Sequence, residues 1–144
     1  MKPYTYILTI ALLLPFVSIQ AQCESDAFLD NCVELIDNYT YVKVFNVNTD
    51  KKTTKVEYSS VFSKDHEYIL AICSGTQKSN KKLIVNLYDR NRQLISSSYY
   101  KPKNMHVQKV GYKCSATGVY YIEAYFEDNA ENCGIIILGF KKSQ

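Results

Sequence analysis

At 144 residues the chain has room for one ordinary domain and not for two. It carries 17 Lys and Arg against 14 Asp and Glu, with 22% of its residues charged and no concentrated basic stripe, which argues against a surface that tracks nucleic-acid phosphates. No Pro/Ser-rich linker, repeat or low-complexity block divides it.

The first residues read as an export leader. Met1 and Lys2 form a minimal positive start, and Ile7 through Val17 form an apolar run interrupted only by Thr9 and Pro15. That run is shorter than the roughly 20 residues needed to cross a bilayer core. Ala21 supplies a small residue for cleavage, so the expectation is a leader over residues 1–22, a single domain over 23–144, and a secreted or periplasmic product. Losing the leader removes Lys2 and leaves 16 basic side chains against 14 acidic ones, a formal charge of +2. Later apolar stretches, such as Ile135 to Leu138, have only strand length, so no transmembrane segment is expected in the mature chain. Cys23 occupies the place of a lipoprotein cysteine, but Gln22 before it does not suit the modifying enzyme, which prefers a small residue there; a lipid anchor at Cys23 is the lesser alternative.

Residues 24–37 predict one short helix. Phe28, Leu29, Cys32, Leu35 and Ile36 recur at three- and four-residue spacing, so one face requires cover and carries Cys32. Beyond Asn38 the pattern changes to alternation. Tyr39 to Val47 and Val56 to Phe62 predict strands, with turns at Asn48 to Lys51 and Ser63 to His66. Tyr68 to Cys73 is apolar on both faces, as expected of a central strand lying between an opposing sheet and a helix or long loop. Leu83 to Tyr88, Leu94 to Tyr100, Val107 to Cys114, Val119 to Phe126 and Cys133 to Phe140 follow as further strands. Short strands in this number, with no long helices between them, predict a mainly β fold: a two-sheet antiparallel β-sandwich, jelly-roll-like, with a short N-terminal helix. Of the 13 tyrosines, the 11 beyond the leader suit the rim of such a core.

Leu87-Tyr88-Asp89, followed by a polar turn and then Thr117-Gly118-Val119-Tyr120-Tyr121-Ile122, resembles the bacterial pre-peptidase C-terminal domain family. Members are small extracellular jelly-roll sandwiches, often appended to secreted proteases, and are similar to the collagen-binding modules of bacterial collagenases. The resemblance runs from about Val56 to Phe140. The turn after Asp89 lacks the family's usual Pro or Gly, Lys82 and Asn86 stand where an acidic residue is common, and this chain holds no protease domain. The resemblance implies a non-catalytic adhesion, stabilisation or binding role and carries over no catalytic residue.

Five cysteines, Cys23, Cys32, Cys73, Cys114 and Cys133, would remain in the mature chain, spaced unlike a zinc knuckle or a redox pair. In an oxidising compartment some are expected to be bridged. Spacing does not decide which. The jelly-roll analogy brings the strands of Cys73 and Cys133 together and so favours that pair, with Cys32 to Cys114 tying the helix to the sheets and Cys23 left over.

The side chains that point to chemistry are few. Glu123 shares a strand face with Tyr121 and Tyr125, and a carboxylate flanked by tyrosines can orient a sugar or a cationic group, which makes these three the expected binding surface. His66, between Asp65 and Glu67 and near Ser59, Ser60 and Ser63, is the basis of an alternative reading as a small secreted hydrolase, although no G-x-S-x-G or H-E-x-x-H motif accompanies it. Asp128, Asn129, Glu131 and Asn132 leave calcium open, without an EF-hand loop. No cofactor or catalytic residue is expected. The functional expectation is an exported binding or accessory module for an extracellular or cell-envelope protein or polysaccharide, with nucleic acid excluded as partner.

Overall fold

The computed structural model describes residues 26–74, 82–127 and 132–143. Helix α1 (Asp26–Val33) tightens into a 3-10 turn (Glu34–Ile36), and the strands follow as β1 (Thr40–Thr49), β2 (Lys55–Phe62), β3 (His66–Ser74), β4 (Leu83–Tyr88), β5 (Leu94–Ser97), β6 (Tyr99–Tyr100), β7 (Met105–His106), β8 (Lys109–Lys113), β9 (Gly118–Phe126) and β10 (Asn132–Lys142). Two four-stranded antiparallel sheets are ordered β1-β10-β3-β8 and β2-β9-β4-β5, with β6 and β7 forming a separate small ribbon. Setting that ribbon aside, the long strands wind as interlocked Greek keys, so the expected jelly-roll sandwich is the observed fold.

Alternation explains the layers. Tyr68, Leu70 and Ile72 of β3 and Ile136 and Leu138 of β10 turn inward, facing Leu83, Val85 and Leu87 of β4 and Tyr120, Ile122, Ala124 and Phe126 of β9. The intervening residues of β3 and β10 are also apolar. Ile69, Ala71, Ile135 and Ile137 form a second cluster with Cys32 and Ile36, so the helix lies on the outer face of the first sheet, as their two-sided pattern predicts. Leaving the three isoleucines exposed would forfeit about 1.5–3 kcal/mol each, which is what holds the helix there. We call β1-β10-β3-β8 the covered sheet and β2-β9-β4-β5 the open sheet. On the open sheet the outward residues of β2 are exposed and those of β9 lie half-buried or exposed, while Ile84 and Asn86 of β4 are buried.

The cysteines correct the expected pairing. Cys32 is bonded to Cys73 with a Cα–Cα separation of 5.9 Å, within the usual range for a disulfide. Register explains why Cys73 does not meet Cys133. Strands β3 and β10 are neighbours, but Ile135 stands opposite Cys73, and the helix face brings Cys32 to it instead. Cys114 is a buried free thiol whose surroundings are the inner core, on the other side of the covered sheet from Cys32, so the expected Cys32 to Cys114 bond is excluded. Cys133 is disulfide-bonded as well. The expected clamp between helix and sheet therefore exists through a different partner.

The return strand expected over Leu94 to Tyr100 breaks at Ser98. Its buried hydroxyl accepts the Val85 N–H at 2.8 Å while its own N–H donates to the Val85 carbonyl at 2.8 Å, after which the chain turns away into the β6–β7 ribbon. The leader, Cys23 and Asp128, Asn129 and Glu131 lie outside the described residues. Among the described residues no helix is long and apolar enough to cross a membrane.

Candidate binding face

The outer face of the open sheet is built from cross-strand rows. Tyr121 stands between Ser59 of β2 and Tyr88 of β4, with Leu94 of β5 beyond Tyr88. The next row places Glu123 between Glu57 and Asn86, and the third places Tyr125 between Lys55 and Ile84. At the opposite end Val61 pairs with Val119. The three residues singled out by the alternation of β9 therefore share one face, as period two requires, and they gain neighbours from β2 and β4.

The two motifs position this face. Leu87 enters the core and Tyr88 turns outward, while Asp89 closes the β4–β5 turn by accepting the N–H groups of Asn91 at 2.8 Å and Gln93 at 2.9 Å on Oδ1. Such a carboxylate-organised turn is the normal service of Asp at this position. Arg92 takes a left-handed backbone conformation in that turn (φ 64°). Its guanidinium lies 3.6 Å over the Tyr121 ring and pairs with Glu57. On the other motif, Thr117 Oγ1 accepts the Lys64 N–H at 2.9 Å. Tyr120 turns inward and its hydroxyl donates to the Ala116 carbonyl at 2.7 Å, a tyrosine corner that leaves Tyr121 facing out. Burial is the main cause that pushes the Tyr120 phenol far above its ordinary pKa, with Tyr112 and Cys114 adding to it.

Glu123 is the hub. Its Oε1 accepts from Asn86 Nδ2 at 3.1 Å and from the Tyr88 hydroxyl at 3.3 Å, while Oε2 lies 3.6 Å from Lys55 Nζ. Burial, and then the nearby Glu123 charge, raises the Tyr88 pKa, so that phenol stays protonated and donates. Lys55 Nζ also sits 4.9 Å from the centre of the Tyr125 ring. The hydrogen bond to Glu57 is the main cause that raises the Arg92 pKa, keeping that cation fixed in charge. The face thus holds two arrangements of aromatic ring, carboxylate and cation side by side. Lys55 opens β2 and belongs to one of them. Nothing in the local sequence signals Arg92, because its reach depends on the backbone of the turn.

The other expected candidates are not drawn together. His66 Nδ1 lies 3.0 Å from the Lys64 carbonyl and its ring packs near Phe140 and Tyr68. Among the described residues no ion pair joins it to a carboxylate, and no hydrogen bond joins it to Ser59, Ser60 or Ser63; Glu67 pairs with Lys141 at 3.2 Å instead. His106 stacks on Tyr99 at 4.5 Å, with Nε2 3.8 Å from Glu127. Among the described residues no group of three or more His, Cys, Asp or Glu side chains is placed to hold a metal ion. No protein-family model matches the chain, and no curated protein is similar to it.

Proposed function

We propose that this chain is an exported, non-catalytic binding or accessory module that recognises an extracellular or cell-envelope protein or polysaccharide through the outer face of its open sheet. The observation that carries this reading is the concentration of Tyr121, Glu123 and Tyr125 with Tyr88, Glu57 and Lys55 on that face, whose outward β2 positions are exposed. Aromatic rings interleaved with a few fixed polar groups are the usual make-up of a recognition surface. The leader-like residues 1–22 support export, and the Cys32–Cys73 bond fits an oxidising compartment. A kinship with pre-peptidase C-terminal domains is supported by the jelly-roll winding and by the two motifs standing on neighbouring strands β4 and β9.

The test is affinity capture from extracellular and envelope fractions, run beside a glycan array, with wild type and the Tyr121→Ala/Tyr125→Ala double variant. Saturable binding that the double variant loses while keeping its melting temperature is expected. Absence of any saturable ligand, or equal binding by the variant, contradicts the reading.

A further inference from the structure

One of the two ring-and-carboxylate arrangements is tightly filled and the other is not. Arg92 stacks 3.6 Å over Tyr121 and makes a direct hydrogen bond to Glu57. Lys55, by contrast, remains 3.6 Å from Glu123 Oε2, longer than the roughly 2.7–2.9 Å of a close charge-assisted hydrogen bond. Its side chain is 53% exposed, whereas that of Glu123 is only 22% exposed. The carboxylate is the fixed partner, since Asn86 and Tyr88 hold Oε1 and turn Oε2 toward the cation. The lysine is the replaceable one, because an ion pair with an exposed partner contributes little.

We infer that Glu123 and Tyr125 form a seat for an arginine side chain of a partner polypeptide, with Lys55 as the resident cation that the incoming guanidinium displaces. This rests on the reading of the open sheet as the binding face. Arg92 on Tyr121 and Glu57 is an internal template for the bound state, combining ring stacking with a carboxylate contact. A guanidinium suits such a seat better than an ammonium, because its planar fork stacks and bonds at once and is less strongly hydrated. A neutral sugar suits it less, since displacing Lys55 would leave Oε2 without a countercharge. Exposed Val61, Val119 and Leu94 on the same face offer apolar contact for the rest of a polypeptide ligand.

The probe is a blocked tetra-arginine peptide, titrated at low salt into the mature chain and followed by calorimetry and by backbone amide NMR shifts. Wild type is expected to bind weakly, with shifts centred on Tyr125, Glu123 and Lys55. Lys55→Ala removes the competing resident and should tighten binding at least about threefold, because the fraction of empty seats rises. Glu123→Gln should weaken it about tenfold or more. Tetra-lysine should bind less well than tetra-arginine, and Glu67→Gln on the covered sheet should leave affinity unchanged. Equal or weaker binding by Lys55→Ala overturns the inference, and this arm does not depend on any loss of fold. Equal losses in Glu123→Gln and Glu67→Gln also overturn it, by showing a diffuse charge effect. If arginine peptides fail with both wild type and Lys55→Ala while a glycan binds and is lost with Tyr121→Ala/Tyr125→Ala, the seat is rejected and the binding face stands. If no ligand responds to the tyrosine pair, the face itself is rejected.

Discussion

The two outer faces of the sandwich are made from strands of the same kind and meet opposite fates. On the covered sheet, β3 and β10 place Ile69, Ala71, Ile135 and Ile137 outward, and the helix and the Cys32–Cys73 bond close over them. On the open sheet, β9 places Tyr121, Glu123 and Tyr125 outward at the same period, and the ion pairs there hold side chains that remain partly in solvent. The inner faces are equally apolar. What differs is the chemistry of every second residue: an aliphatic outer row requires another layer of protein, whereas a row of tyrosine and carboxylate can face water and remain available to a ligand.

If cover matters for stability on one side and not on the other, variants on the two faces should separate widely. Removing the clamp with Cys32→Ala/Cys73→Ala should have the largest effect, up to about 4 kcal/mol for a separation of 41 residues, read as a lower urea midpoint. Ile137→Ala, under the helix and fully buried, should cost about 3 kcal/mol in the same measurement. Tyr120→Phe compares the two sides of a single strand. Loss of the inward hydroxyl, with the Ala116 carbonyl left behind, should cost about 1 kcal/mol. On the open face, Lys55→Ala should change stability by no more than about 0.5 kcal/mol, because its ion pair is screened by solvent.

A pH series sharpens the comparison at the margin of the open sheet. Burial is the main cause that holds the His106 pKa below its ordinary value, with the Lys82 charge adding to this and Glu127 opposing it. The unfolded chain therefore takes up a proton on this residue at a higher pH than the folded chain does. Its neutral form contributes stability that is complete above the ordinary histidine value near 6.5 and is lost as pH falls from there toward the depressed folded value. Unfolding midpoints of wild type should thus fall more steeply over this window than those of His106→Gln, and parallel profiles would contradict the assignment.

Much of this contrast was legible in the residues. The two-sided apolarity of Tyr68 to Cys73 called for a covering layer, and the alternation of Val119 to Phe126 put Tyr121, Glu123 and Tyr125 together on the other side. Disulfide pairing was not legible, because it depends on register: Cys73 and Cys133 lie on neighbouring strands, yet Ile135 rather than Cys133 stands opposite Cys73. Likewise, Ser98 broke the expected return strand by a side-chain hydrogen bond to Val85 that no propensity encodes. Within the binding face, a strand pattern names residues that share a side but not the ones that arrive from elsewhere. Arg92 reaches Tyr121 from a turn and Lys55 reaches Glu123 from the next strand, so the ring-and-carboxylate pairs emerge only after folding.

The most direct test of the contrast is a map of ligand contact on the isotope-labelled chain, using amide shifts during titration with blocked tetra-arginine and, separately, with whichever oligosaccharide scores highest on the glycan array. The account predicts that perturbations concentrate on Lys55, Glu57, Tyr88, Arg92, Tyr121, Glu123 and Tyr125, with α1 and the outward residues of β3 and β10 unchanged. Perturbations centred on the helix and the covered sheet, with the open face silent, would contradict it.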